Sequence, residues 1–336
     1  MSGTTESKTL HDIKFSVLDL APVNEGSTPA DAFRNSLDLA QHAEKWGFNR
    51  YWVAEHHNMP GIASSATSVV IGYLAGGTKT IRLGSGGIML PNHASLVIAE
   101  QFGTLESMYP GRIDLGLGRA PGSDQNTARA LRRTLGTTGD EFPQQLEELR
   151  AYFSENSSFV KAVPGQGLNI PIWLLGSSGF SARLSGRLGL PFAFASHFAP
   201  NYTIPALKTY RDHFTPSEHL QTPYAMVGVN IVAADTEEEA KRLATSQQQQ
   251  FLSLIRGTPT QLKPPVDDME QVWTPYEKSI IAEKLDSTIV GTKETVKARL
   301  EQFLADTNAD EMIINSQIFD HKARLRSYEI IAELMS

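Results

Sequence analysis

Apolar and polar positions along the chain follow two rhythms. Short runs rich in β-branched and aromatic residues recur from end to end: IKFSVLDL (13–20), RYWVAE (50–55), IRLGSGGIML (81–90), RIDLGLG (112–118), IPIWLLGS (170–177), PFAFASHF (191–198), YAMVGVNIVAA (224–234) and EMIINSQIF (311–319). Between them lie longer stretches with helical spacing. In ADAFRNSLDLAQHAEKWG (30–47), Phe33, Leu37, Ala40 and Ala43 share a face, and Gly47 suits a left-handed cap. Most of the strand runs are apolar throughout, as expected where both faces of a parallel sheet are buried. Eight strand–helix units predict an α/β protein, a (β/α)8 TIM barrel.

One segment breaks the rhythm. GTPTQLKPPVDDMEQVWTP (257–275) is rich in proline and polar residues and forms an insertion after the seventh strand–helix unit. A connection this long is usually functional or disordered, and we read it as a candidate mobile lid, with a roleless insertion as the alternative. Residues 1–11 read as a flexible tail, which leaves 12–336 as one domain. A glutamine run at 247–250 falls inside a helical stretch.

Composition narrows the function. The 336 residues suit one barrel of about 250 residues with insertions. A net charge of -7 gives no basic footprint for nucleic acid or anionic lipid. The absence of cysteine excludes disulfides, thiolate metal ligands and cysteine nucleophiles. The polar start MSGTTESKTLHDIK lacks a signal-like apolar run, and no apolar run approaches the ~20 residues of a membrane span, so a cytoplasmic protein is expected.

In a barrel of this kind the site lies where strands end and loops begin. The unusual residues cluster there, as EHH, GSGG, GLGR, GSS and SHF. In GLGRAPG (116–122), glycines allow close backbone approach and Arg119 offers a planar fork suited to phosphate oxygens. Pairing of Arg119 with a carboxylate is the plain alternative. The glycine spacing is not the dinucleotide fingerprint. In GSSGFSARLSGRLGLP (176–191), Ser178 or Ser181 can cap a helix whose free N–H groups bind an anion. One phosphate held by Arg119, Ser178 and Ser181 accounts for both segments. GSGG (84–87) implies either a bulge or a flat ligand pressed on the backbone.

YWVAEHHNMPG (51–61) ends an apolar run in three ionisable residues. A zinc site needs three or four ligands, and the adjacent histidines lack helical i, i+4 spacing, so no metal is expected. Neighbouring strand residues point to opposite faces. One histidine can therefore face the mouth as a base or donor while the other packs behind it. His93, His197 and His321 follow other strands, and each alone reads as structural.

Taken together, AEHHNM, GSGGIMLPNH, YPGRIDLGLGRAPGSD and GSSGFS resemble the bacterial luciferase-like flavin-dependent monooxygenase family (alkanal monooxygenase-like) over about residues 13–332. The likeness is strongest to its non-luminescent, single-component branch. The resemblance implies a barrel that uses reduced FMN, supplied by a separate flavin reductase, and O2 to oxidise a small organic substrate through a C4a-peroxyflavin. It implies His56 as a general base near the flavin, and Arg119, Ser177, Ser178, Gly179 and Ser181 around the flavin phosphate. Gly86–Gly87 falls where the family has a non-proline cis peptide beneath the isoalloxazine. Met59, Met89 and His197 are assigned to the substrate pocket, with core packing as the plain alternative for the methionines. Segment 257–275 corresponds to the family's mobile loop, and helices at about 64–76 and 94–108, the second carrying Glu100, correspond to a homodimer interface.

The chain departs from luciferase at three places. Gly118 stands where luciferase has a reactive cysteine, Ser196-His197 replaces a tryptophan-containing strand end, and LPNHAS lacks a second proline. Light emission and long-chain aldehyde specificity are therefore not expected. Two rivals remain, a deazaflavin-dependent hydride-transfer enzyme and a non-catalytic flavin-binding protein.

Overall fold

The computed structural model describes residues 8–120, 125–131, 139–155 and 160–335. Its strands are β1 (Lys14–Asp19), β2 (Arg50–Val53), β3 (Arg82–Ser85), β4 (Ile88–Met89), β5 (Ile113–Gly118), β6 (Ile172–Gly176), β7 (Phe192–Phe194), β8 (Ala225–Ala233), β9 (Ile289–Gly291) and β10 (Glu311–Asn315). Strands β1, β2, β3, β5, β6, β7, β8 and β10 pair in that order, and β10 pairs back to both β8 and β1. The result is a closed eight-stranded parallel barrel, a (β/α)8 fold as the sequence predicts. The run at 81–90 is split: it breaks after Ser85, the Gly86–Gly87 peptide is cis, and β4 resumes against β5. Strand β9, which the sequence did not suggest, extends the sheet beyond the upper part of β8 with Ile231 opposite Ile289.

The helices are α1 (Pro29–Lys45), α2 (Thr67–Gly76), α3 (Ser95–Met108), α4 (Gln125–Leu131), α5 (Phe142–Phe153), α6 (Gly179–Leu188), α7 (Thr203–Asp212), α8 (Glu237–Ile255), α9 (Pro275–Lys284), α10 (Lys293–Thr307) and α11 (His321–Ala332). Local chemistry sets several of their ends. Thr28 and Asp31 cap α1 reciprocally, and Gly47 turns the chain out of it at φ +83°. No helix among the described residues is long and apolar enough to cross a membrane.

Side chains inside the barrel close its lower end. Arg50 bridges Asp114 at 2.7 Å and Glu311 at 2.9 Å, Arg82 holds Asp114 at 2.6 Å, and Tyr224 donates to Glu311 at 2.9 Å. Above this charged layer lie Leu18, Trp52, Trp173, Ala193, Met226 and Ile313, with the two tryptophans edge to face at 5.2 Å. Among the described residues, the end left for a ligand is therefore the opposite one, where the strands finish. First and last elements are tied by buried Asp19 of β1, which accepts from Arg324 of α11 at 2.7 Å and from Tyr51 at 2.5 Å.

The 257–275 segment is fastened at several points. The Leu262 N–H donates to Val23 O at 2.9 Å, and Leu262 O accepts from Glu25 N at 2.8 Å. Gln249 of α8 donates to Pro264 O at 2.8 Å. The segment thus runs along the loop leaving β1, close to the barrel mouth.

Candidate active site

The end of β2 resolves the Glu-His-His question in an unequal way. Glu55 is buried and points away from the barrel axis, on the same side as Tyr51 and Val53. His57 Nε2 lies 2.8 Å from Glu55 Oε1, and His93 Nε2 lies 2.9 Å from the same oxygen. The Met89 N–H donates to the second oxygen at 2.9 Å. Burial pushes the Glu55 carboxyl up, but contacts from His93, His57 and the Met89 N–H outweigh it and hold the group below its ordinary range. Glu55 thus joins β2 to the β4 region, with His57 and His93 as partners. Sequence reasoning missed this hub, because its members are separated along the chain.

His56 takes the other side. It is half-buried, its backbone N–H donates to Ser64 O at 3.1 Å, and it lies near enough to His197, which follows β7, to disfavour a proton there. Burial first, and then the proximity of His56, lower the His197 pKa to about 4. His197 also needs the glycine opposite it: a Cβ on Gly228 would lie 2.1 Å from its Nδ1. The backbone carbonyl of His197 accepts from Asn230 at 3.2 Å, and Asn230 is held in turn by Asn315 at 2.9 Å.

The phosphate candidates converge at the next strand ends. Arg119 immediately follows β5, and its guanidinium lies 4.3 Å from the centroid of the Phe180 ring in the first turn of α6. Ser178 occupies the N-cap position but its side chain makes no capping bond, so it does not cap the helix in the way its type allows. Ser177, Ser178 and Gly179 are exposed, while Ser181 is buried in the first turn. A Cβ on Gly179 would meet nothing within 4 Å. A guanidinium, exposed serine hydroxyls and the first turn of a helix whose N-cap side chain makes no bond thus lie close together, chemistry compatible with a phosphate monoester. Phe180, which positions the arginine, carries no sequence signal beyond its place in the motif.

The floor between these two groups is made of glycines. A Cβ on Gly86 would lie 2.7 Å from Leu18 Cδ1, and one on Gly118 would lie 2.7 Å from both Cε and Sδ of Met89. Met89 therefore fills the space that a side chain at position 118 would occupy. Met59 is half-buried in the loop after His57. Among the described residues, no group of three or more His, Asp or Glu is arranged to hold a metal ion.

A closed parallel barrel with a guanidinium beside a helix start and histidines at its strand ends is the kind of scaffold on which α/β-barrel enzymes carry their sites. The chain belongs to the luciferase-like monooxygenase family, whose model matches residues 13–311. It is 65% identical to the uncharacterized protein YvbT of Bacillus subtilis over 96% of this chain and 97% of that protein. It is 56% identical to a luciferase-like monooxygenase of Escherichia coli K12, again over 96% and 97%. An N-acetyl-S-alkylcysteine monooxygenase of B. subtilis is 33% identical over 96% of this chain and 98% of its own. Among solved structures, apo-MsnO8 superposes with a TM-score of 0.86 at 33% identity, covering 96% of this chain and 98% of that one. More distant likenesses show the fold alone. They include the FMN complex of the oxygenating constituent of 3,6-diketocamphane monooxygenase from Pseudomonas putida (TM-score 0.72, 17% identity, 96% and 97% covered). An F420-dependent secondary alcohol dehydrogenase is a second (TM-score 0.68, 14% identity, 97% and 99% covered).

Proposed function

We propose that this monooxygenase uses reduced FMN and O2 to oxidise a small organic substrate at the barrel mouth. The observation that carries the reading is the Arg119–Phe180 stack, which holds a guanidinium beside the uncapped start of α6. Arg119, Ser177, Ser178, Gly179 and Ser181 would hold the FMN phosphate, and Gly86 and Gly87 would underlie the ring. Reduced flavin, when bound, supplies two electrons and activates oxygen. The protein's own part is to orient, to exclude water and to move a proton. His56, facing the mouth, is the group for that proton, and Met59, Met89 and His197 shape the surrounding pocket. The name of the N-acetyl-S-alkylcysteine relative and the FMN in the camphane enzyme complex support this assignment. A separate reductase would deliver the reduced flavin, and segment 257–275 would cover the mouth.

The test is a titration followed by rapid mixing. FMN is expected to bind at least tenfold more tightly than riboflavin. Protein loaded anaerobically with reduced FMN is expected to reoxidise more slowly than free flavin on mixing with O2. Reoxidation at the free-flavin rate would favour a flavin holder. Binding of a deazaflavin in preference to FMN would favour hydride transfer, the chemistry named for the F420-dependent neighbour. The variant His56→Ala should keep FMN binding and lose turnover by roughly 10²–10⁴-fold, the range for a general acid or base.

A further inference from the structure

Helix α8 is polar on a side that is not exposed. Thr245, Ser246, Gln247, Gln249, Gln250 and Ser253 are all buried, in a stretch where a packed helix would ordinarily present apolar residues. Two of its polar residues bind the strap that follows. Thr245 accepts from Val266 N at 2.9 Å, and Gln249 donates to Pro264 O at 2.8 Å. Ser246 and Gln250, one turn apart on the neighbouring face, are different. Ser246 Oγ and Gln250 Oε1 are buried and have no hydrogen-bond partner.

The course of α8 shows what this face looks onto. Its first half packs on the end of β8, with Ala240, Leu243 and Ala244 against Val232 and Ala234. Its second half reaches the loop leaving β2, where Gln250 Nε2 lies 3.1 Å from the place of a Cβ on Gly61, five residues beyond His56. The helix therefore spans the mouth from the end of β8 to the end of β2. Across that mouth, after β7, Ser196 Oγ is also buried without a partner, beside His197. Buried polar atoms are normally paired, and leaving them unpaired costs stability. Ser246 and Gln250 on this helix and Ser196 after β7 thus carry such atoms on the strand-end side of the barrel, as His197 does at Nδ1, and Ser246, Gln250 and Ser196 are uncharged.

We propose that Ser246 and Gln250, with Ser196 opposite, form the hydrogen-bonding wall of the substrate pocket, and that this wall selects a neutral amide-bearing substrate over an aliphatic aldehyde. The Gln250 carbonyl accepts an N–H, and a serine hydroxyl donates to the amide oxygen. An alkanal offers an acceptor but no donor, so it would leave Gln250 Oε1 unpaired. Sites built to pair a polar group discriminate strongly against analogues that lack it. This inference rests on the reading of the mouth as the oxidation site, and it names the substrate class for that site.

The probes are N-hexylacetamide and nonanal, matched in size, titrated calorimetrically into the protein with and without FMN. The wild-type protein is expected to bind the amide at least tenfold more tightly. Both Gln250→Leu and the milder Ser246→Ala should reduce that preference severalfold while leaving FMN affinity unchanged. Equal or tighter binding of nonanal, no binding of either probe, or a preference untouched in both variants would overturn the proposal. Failure of FMN to bind, with the amide preference intact, would instead count against the cofactor assignment alone.

Discussion

The Met89 backbone N–H donates to the Glu55 carboxylate at 2.9 Å, so the short strand beyond the Gly86–Gly87 peptide is hung from the end of β2. The same carboxylate accepts from His93 and His57, and these contacts outweigh burial in holding its pKa below the usual value. Glu55→Gln removes the charge but keeps the shape. It should destabilise the fold by about 1–3 kcal/mol at neutral pH, the cost of disrupting a buried hydrogen-bonded group. Because the folded pKa is depressed, this contribution is complete above the unfolded value of about 4.3 and is lost as pH falls through the folded pKa. Urea melts of both proteins at pH 7 and near pH 3 should show the gap closing in acid. An equal gap at both pH values would mean that the pattern of hydrogen-bond acceptors, not the charge, is what Glu55 supplies.

Arg119 separates a phosphate reading from a merely structural one. Arg119→Ala should weaken FMN binding by about 1.5–3 kcal/mol, roughly 10- to 100-fold, the range for a charge-assisted hydrogen bond. Riboflavin affinity should not change, because it lacks the phosphate. Phe180→Ala leaves the charge and removes its platform at 4.3 Å, so a smaller loss of FMN affinity is expected. Fluorescence titration of both ligands decides it, and a parallel loss of riboflavin binding would remove Arg119 from the phosphate site.

His197 should stay neutral across the physiological range. Its pKa, lowered by burial and then by His56, is about 4 against an ordinary 6.5. Between these values the unfolded chain binds the proton and the folded one does not. Stability therefore falls as pH drops from about 6.5 towards about 4 and levels below that. His197→Gln should flatten this part of the stability profile, and the His197 ring signals in NMR should show no titration between pH 5.5 and 8. A His197 that titrates near 6.5 would mean that the imidazole is more hydrated than its packing against Gly228 allows.

Much of the barrel is legible in the chain because parallel strands buried on both faces are continuous apolar runs, and all eight barrel strands fall within such runs. What escapes is short or nonlocal. β9 has three residues, too few to produce a pattern, and β4 is hidden because Gly86–Gly87 interrupts a run that reads as one strand. The pairing of Arg119 with the start of α6 follows from residue type and strand-end position. Its stacking on Phe180 does not, since the two residues lie on different strand–helix units. Glu55 was visible as part of a triplet, yet its role depends on His93 and Met89, which only the fold brings near. The glutamine run in α8 misleads most, because polar residues at helical spacing ordinarily read as a solvated face, and Gln247, Gln249 and Gln250 are buried.

Helix α2 makes the last prediction. Its sequence, TSVVIGYLAG, is apolar nearly all round, and a helix of that kind is normally covered on every side. Val70, Ile71 and Leu74 are buried in the barrel's outer core, yet Val69 is 70% and Tyr73 46% exposed, one turn apart on the opposite face. Ser68 donates to Gln101 of α3 at 2.8 Å, which places the exposed Val97 of α3 on the adjoining surface. A two-fold pairing through α2 and α3 would cover these residues on both subunits at once, since a symmetric contact uses one patch twice. The protein is therefore expected to sediment as a dimer at micromolar concentration, and Val69→Glu combined with Tyr73→Glu should yield monomers that remain folded by circular dichroism. Like charges at the centre of such a patch lose their hydration without gaining a partner, so the shift should be large. A wild-type chain that sediments as a monomer would rule out the two-fold pairing and leave this face to a different partner.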